Sequence, residues 1–178
     1  MAHKYVAMLP GGEAPQYTEN REGYYWVKNM QGNSAKTVLK MDVRDFTVDG
    51  YKHRMAFLAK LAESCNNLWG EGTVECKLSD RYANVFNSLQ GKNSYPIDIA
   101  KQAYTNLGIE PLVKPMRGGY DGAVLSQKGL PCPNLFTGAH NFHSIYEYLP
   151  VNSLKAASNV LVEIVKLTHD RFIAGEAK

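Results

Sequence analysis

Near the end of the chain, Gly138-Ala139-His140-Asn141-Phe142-His143 sets two imidazoles three positions apart, and a carboxylate, Glu147, follows four residues after the second. Imidazole is the commonest protein metal ligand. The pair follows a short apolar run, Leu135-Phe136, which reads as a strand, and strand ends are where α/β sheets collect ligands. As a metal signal the spacing is weak, because it lacks the His-Glu-x-x-His form of a helical zinc site. A two-metal hydrolytic centre also needs a bridging carboxylate and further ligands around both ions. The sequence contains no His-x-Asp and no Glu-Glu pair, so His140, His143 and Glu147 by themselves cannot hold two metals.

A second cluster, Arg117-Gly118-Gly119-Tyr120-Asp121-Gly122, puts three glycines around an arginine and an aspartate just before a predicted helix. Glycine permits close backbone approach and helix N-termini attract anions. A turn with Asp121 as N-cap and a ligand-lining loop are equally open readings. The Gly-Lys-Ser/Thr ending of a phosphate loop is absent. Arg44, in Asp42-Val43-Arg44-Asp45, reads on its own as an ion-paired surface arginine. His3, His53 and His169 fall in helical patterns beside charges and are expected in solvent. Cys65, Cys76 and Cys132 are odd in number and sit in apolar surroundings, so they are expected to be buried, reduced thiols.

The elements that must position these groups follow from periodicity. Residues 2–9 read as the last turns of a helix closed by Pro10-Gly11-Gly12, with no cap ahead of them. Tyr24-Tyr25-Trp26-Val27-Lys28 and residues 35–46 make a hairpin around Gly32-Asn33-Ser34. In its second strand Thr37, Leu39, Met41 and Val43 share one face, and Arg44 points to the other. Tyr51, Met55, Leu58, Ala62 and Cys65 recur at helical spacing, ended by Asn66-Asn67 and Gly70, and residues 73–78 alternate as a further strand. Strand, strand, helix, strand implies an α+β fold with helices on one face of an antiparallel sheet.

A second composition begins near Tyr95-Pro96. A helix through Ile99, Ala103 and Leu107 stops at Gly108, and Pro111-Leu112-Val113 reads as a short strand. The stretch 115–143 is rich in Gly, Pro and Asn. A closing helix over residues 152–172 would turn Leu154, Ala157, Leu161, Ile164 and Thr168 to one side.

With 44% apolar residues the chain can bury a core, which argues against disorder. A net charge of +3 without any basic run does not imply nucleic acid. No apolar run is long enough for a membrane helix, and Met1-Ala2-His3-Lys4-Tyr5 shows no signal-peptide core. A cytoplasmic protein is expected.

Three stretches together, Pro115–Ser126, Gly129–Gly138 and Asn141–Tyr148, resemble the C-terminal signature of peptidase T, a zinc-dependent tripeptide aminopeptidase. The similarity extends upstream through Glu13–Glu19, Glu22–Tyr25 and Val43–Phe46, covering essentially the whole chain but less than half the family's usual length. Peptidase T belongs to the aminoacylase and carboxypeptidase superfamily of zinc hydrolases, whose catalytic domain is interrupted by a lid of antiparallel strands and two helices. The resemblance implies that residues 1–94 are a lid or dimerisation-type domain lacking its first strand and most of its first helix. Residues 95–178 would be the returning α/β end of an incomplete catalytic domain.

The resemblance also assigns roles. His143 matches the last zinc-ligand histidine, with His140 beside it in a supporting or incidental place. Arg44 matches the lid arginine that grips the substrate's carboxylate end, a task that suits a fixed guanidinium. Arg117, Gly119 and Asp121 match a substrate-pocket loop, and Asn141 belongs to the Asn-aromatic-His motif and is counted with the substrate-binding residues. The family's other metal ligands, its general-base glutamate and its lid histidine have no counterparts here. The expectation is therefore a truncated form that binds no stoichiometric zinc and is inactive alone, although the complete family enzyme releases N-terminal residues from tripeptides. The alternatives are a non-catalytic peptide-binding or dimerisation module, and a half-enzyme completed by a separately encoded N-terminal half. The apolar strands near Leu112 and Leu130–Phe136 predict a homo-oligomer formed through one of these exposed edges or through the lid sheet.

Overall fold

The computed structural model of the chain describes residues 1–175. They form two compact units, one comprising residues 1–84 and 114–119, the other residues 85–113 and 120 onward.

The first unit opens with α1 (Ala2–Ala7) and a loop containing a 3-10 turn at Pro15–Tyr17. The hairpin follows, β1 (Tyr24–Gly32) pairing antiparallel with β2 (Thr37–Arg44) from Tyr24↔Arg44 to Gly32↔Thr37. Its register shifts between Val27 and Asn29, a bulge confined to β1, so β2 keeps an unbroken two-residue alternation. That alternation sends Leu39 and Met41 into a core built on Tyr5, Ala62 and Cys65, where Leu61, Trp69, Val74 and Cys76 also pack. Arg44 falls on the opposite face, as the alternation predicts.

The long helix α2 (Val48–Trp69) starts at Thr47, whose hydroxyl accepts the Gly50 N–H, and buries Leu58, Ala62 and Cys65. Tyr5 crosses from α1 to donate its hydroxyl to the Leu58 carbonyl, 3.2 Å away. Burial, with smaller contributions from Cys76, Cys65 and Tyr25, pushes the Tyr5 phenol up to about 12.

Three details differ from expectation here. Asn66-Asn67 does not end α2, which runs on to Trp69 and stops at Gly70 in a positive-φ conformation (φ 107°). Residues 73–78 form no strand. The Asn66 side chain takes the place of a neighbouring strand, its Oδ1 accepting the Val74 N–H at 2.7 Å and its Nδ2 donating to the Val74 carbonyl at 3.0 Å. Among the cysteines, all free, only Cys65 is buried, while Cys76 and Cys132 are half-buried. Even so, burial raises the Cys76 thiol above its ordinary range.

The second unit rests on α3 (Tyr95–Asn106) packed against α5 (Val151–Ile173). Ile99, Ala100 and Ala103 of α3 and Val160 of α5 are buried. Asn106 donates to Glu163 at 2.8 Å, and the Arg171 guanidinium lies 5.7 Å from the centre of the Tyr95 ring. Gly108 (φ 68°) closes α3 in a left-handed cap, with the Ile109 N–H bonded back to Tyr104. The short α4 (Asp121–Gln127) packs on the 3-10 turn Val85–Ser88 and buries Ala123 and Ser126. Ser126 Oγ accepts the Cys132 N–H at 2.9 Å.

The strands expected at Pro111–Val113 and Leu135–Phe136 are absent, and the only ladder among the described residues is β1–β2. Pro111 removes a donor from the first, and Pro115, Pro131 and Pro133 interrupt the flanking backbone that would have to extend either one. The closing helix forms as predicted, but its inward face is rotated. Ser153, Ala156, Ala157, Val160, Ile164 and Leu167 are sheltered, whereas Leu154, Leu161 and Thr168 are exposed. The chain is thus a mixed assembly of helices with one small antiparallel sheet.

Candidate functional site

The predicted site residues fall into two groups, each inside its own unit. In the first, Arg44 at the end of β2 donates from Nη1 to the Arg117 carbonyl at 2.7 Å, and its Nη2 lies 3.9 Å from Asp42. One contact to a carbonyl and one long ion pair leave much of a five-donor guanidinium uncommitted. Arg117 in turn projects into the loop ahead of β1. Its Nη2 donates to Thr18 Oγ1 at 2.6 Å, its Nη1 to the carbonyls of Glu22 (3.2 Å) and Asn20 (3.5 Å), and its guanidinium lies 5.0 Å from the centre of the Tyr24 ring. Arg117 therefore holds backbone in place, and Arg44 is the half-buried cation with donors to spare. At Gly119 a Cβ would meet the Tyr82 hydroxyl, so any larger residue there would displace that exposed side chain.

Behind Arg44 lies a charged cluster that sequence reasoning passed over. Arg54 of α2, largely buried, donates from Nε to Asp45 Oδ2 at 3.0 Å and from Nη1 to Glu13 Oε2, and packs 5.1 Å from the Tyr25 ring centre. Burial works against the ionised form of Asp45, but the Thr47 N–H and hydroxyl and the Arg54 guanidinium prevail and hold its carboxyl below the ordinary range. Burial likewise disfavours the Arg54 cation, and the bonds to Glu13 and Asp45 reverse that and raise it. Gly23 and Gly50 make room for this packing, because a Cβ at either would come within 2.4 Å of Asp45 Oδ2. The signal was available: Arg54 lies between Tyr51 and Leu58 on the apolar stripe of α2, and a charge on a buried stripe needs partners.

The second group occupies one turn. His140 and Tyr148 form an isolated antiparallel bridge with rings stacked at 5.0 Å, and the loop between them carries Asn141, His143 and Glu147. Asn141 (φ 55°) and His143 (φ 66°) are both left-handed, a conformation uncommon for residues with a Cβ but one that Asn and His adopt more readily than most. Local bonds hold it: the His143 N–H donates to Glu147 Oε2 at 2.8 Å, and Asn141 Nδ2 donates to the Tyr146 carbonyl at 3.3 Å. The imidazole of His143 is exposed. Asp121 is the first residue of α4, not its cap, which is Tyr120, and it too is exposed. His3, His53 and His169 lie in solvent as expected.

These donors do not make a zinc centre by themselves. Among the described residues no three His, Cys, Asp or Glu side chains converge on a point that could take a metal ion, whereas zinc sites take three or four protein ligands. Among the same residues no helix is long and apolar enough to cross a membrane.

The fold matches part of two solved structures. Over 93% of its length the chain superposes on 44% of a tripeptidase from Staphylococcus aureus subsp. aureus Mu50 (TM-score 0.68) and on 44% of aminopeptidase PepT from Bacillus cereus ATCC 10987 (TM-score 0.66), each 19% identical. In sequence the chain is peptidase T-like. It is 42% identical to Peptidase T of Clostridium perfringens strain SM101 over 167 residues and 42% identical to Peptidase T of Bacillus licheniformis over 171 residues, covering 94% and 96% of this chain. It spans 41% and 42% of those two relatives' lengths. No family model matches the chain.

Proposed function

We propose that these residues carry the substrate-carboxylate grip and one metal ligand of a peptidase T-type aminopeptidase site, and that this polypeptide assayed alone does not cleave tripeptides. The observation that carries the reading is the Asn141–Glu147 turn, in which two left-handed residues with side chains are held by Glu147 and Tyr146. A left-handed turn, fixed by local bonds, at an exposed histidine fits a ligand that must be aimed. Arg44 supplies the second half of the reading, as a guanidinium suited to a peptide carboxylate, with Arg117 and Gly119 as the loop beside it in the first unit, and Asp121 and Asn141 as substrate-binding residues of the second. Residues 1–94 would then correspond to the lid and residues 95–178 to the returning end of the catalytic domain, while the compact units of the structure divide about ten residues earlier and place residues 114–119 with the first.

Small peptides are the partners this assigns, and three free thiols suit a cytoplasmic setting. Zinc belongs to the complete family site. Here His143 would be one ligand, and the ligand count does not reach a centre that could activate water.

The test is metal analysis of the purified polypeptide coupled to a tripeptide cleavage assay. The expected result is zinc well below one ion per chain and no cleavage. Stoichiometric zinc with cleavage would overturn the reading. A second reading, a non-catalytic peptide-binding or dimerisation module, draws on exposed apolar side chains such as Leu112, Val113 and Leu130. Tripeptide binding lost on Arg44→Met would favour the grip over the dimerisation module.

A further inference from the structure

The contacts around Arg44 close into a ring. Arg54 holds Asp45, the residue next to Arg44, and also holds Glu13. Glu13 is locked to the start of the hairpin by the bond from the Tyr25 N–H to its carbonyl, 2.8 Å. From Glu13 the chain runs through the 3-10 turn Pro15–Tyr17 to Thr18, whose hydroxyl donates to the Ala14 carbonyl at 3.2 Å. A second turn follows, in which the Glu19 N–H donates to the Glu22 carboxylate and the Glu22 N–H to the Glu19 carbonyl. These two turns present the Thr18 hydroxyl and the Asn20 and Glu22 carbonyls to Arg117, and the Arg117 carbonyl accepts from Arg44. Every link lies within the first unit.

A ring of this kind has one member that touches both sides. Arg54 comes from the N-terminal third of α2, the long helix of the unit, and its planar fork reaches two carboxylates at once. One carboxylate fixes the strand end that carries Arg44, and the other fixes the loop that receives Arg117. Neither Arg44 nor Arg117 is anchored to α2 by a bond of its own. We propose that Arg54 is a positioning residue that sets the orientation of the Arg44 guanidinium through Glu13 and Asp45, without itself touching substrate. The proposal rests on the reading of Arg44 as the carboxylate grip, but the coupling between the arginines can be measured without a ligand.

The experiment is nitrogen-15 NMR of arginine side chains in the intact polypeptide, following solvent exchange of the Arg44 and Arg117 guanidinium protons, with thermal unfolding as a check on folding. In Arg54→Met, exchange at both arginines should quicken by about tenfold, the scale expected when charge-assisted bonds are lost. Arg54→Lys keeps one ion pair as a point charge and should fall between. Should Arg54→Met not fold, Glu13→Gln decides, because it loosens only the loop side and should quicken Arg117 more than Arg44. Unchanged exchange at both arginines in a folded Arg54→Met, or in Glu13→Gln, would overturn the proposal. Titrating the wild-type chain with a tripeptide separates the two ideas. A silent Arg44 there would sink the grip reading while leaving the coupling result intact.

Discussion

At the scale of single residues, the chain sorts its arginines by what surrounds them. Arg54 is enclosed by Glu13, Asp45 and Tyr25, Arg117 is spent on backbone carbonyls and Thr18, and Arg44 keeps donors to spare. The Asp45 carboxyl is held below its ordinary range, which gives stability a defined acid limb. An unfolded aspartate titrates near about 3.9, so below that pH the unfolded chain takes up a proton that native Asp45 resists. The contribution is therefore complete above about pH 5 and drains as pH falls toward the depressed native value. Urea midpoints measured from pH 7 down to pH 3 should fall in the wild type, and Asp45→Asn should start lower and fall less steeply. Equal slopes for the two proteins would show that Asp45 is not held as described. The sequence motif Val43-Arg-Asp-Phe46 pointed to Arg44, but not to the neighbouring carboxylate as the member tied to α2.

At the scale of elements, the hairpin, the long helices and the buried stripe of α2 were legible because their periods are strong. The stripe Tyr51, Met55, Leu58, Ala62, Cys65 predicted the buried side of α2, and the alternation of β2 predicted which face Arg44 takes. The failures share a cause. Short apolar runs at 73–78, 111–113 and 135–136 have strand-like composition, yet a strand exists only where another backbone pairs with it. For residues 73–78 the pairing is done by one side chain, Asn66, on both polar groups of Val74. Replacing it with leucine leaves a half-buried N–H and C=O without partners, so Asn66→Leu should cost about 1–3 kcal/mol in chemical denaturation. It should also open the stretch after Gly70 to limited proteolysis. A variant as stable and as resistant as the wild type would mean that water replaces the amide without loss.

At the scale of the molecule, the outstanding feature is apolar surface. The helix α5 shelters Val160 against α3, yet Val151, Leu154, Leu161, Val162 and Val165 on its other side are exposed, as are Leu112 and Val113. A helix apolar on both sides is normally enclosed on both, and contiguous apolar surface favours association. Because the runs near Leu112 and Leu135 are not strands, the association expected here is by side-chain packing, not by edge pairing. Sedimentation velocity should show dimers or larger species as concentration rises, and Leu161→Glu should shift them toward monomer. A strictly monomeric protein at high concentration would refute this. The sequence by itself determined the periodic elements, the scarcity of metal ligands and the peptidase T likeness, because spacing and residue type are local properties that survive without coordinates. Only the tertiary structure decided which arginine is buried, which amide stands in for a strand and which side of α5 faces inward. Those outcomes depend on partners distant in sequence, such as Glu13 and Arg54 or Asn106 and Glu163, whose meeting no one-dimensional pattern encodes.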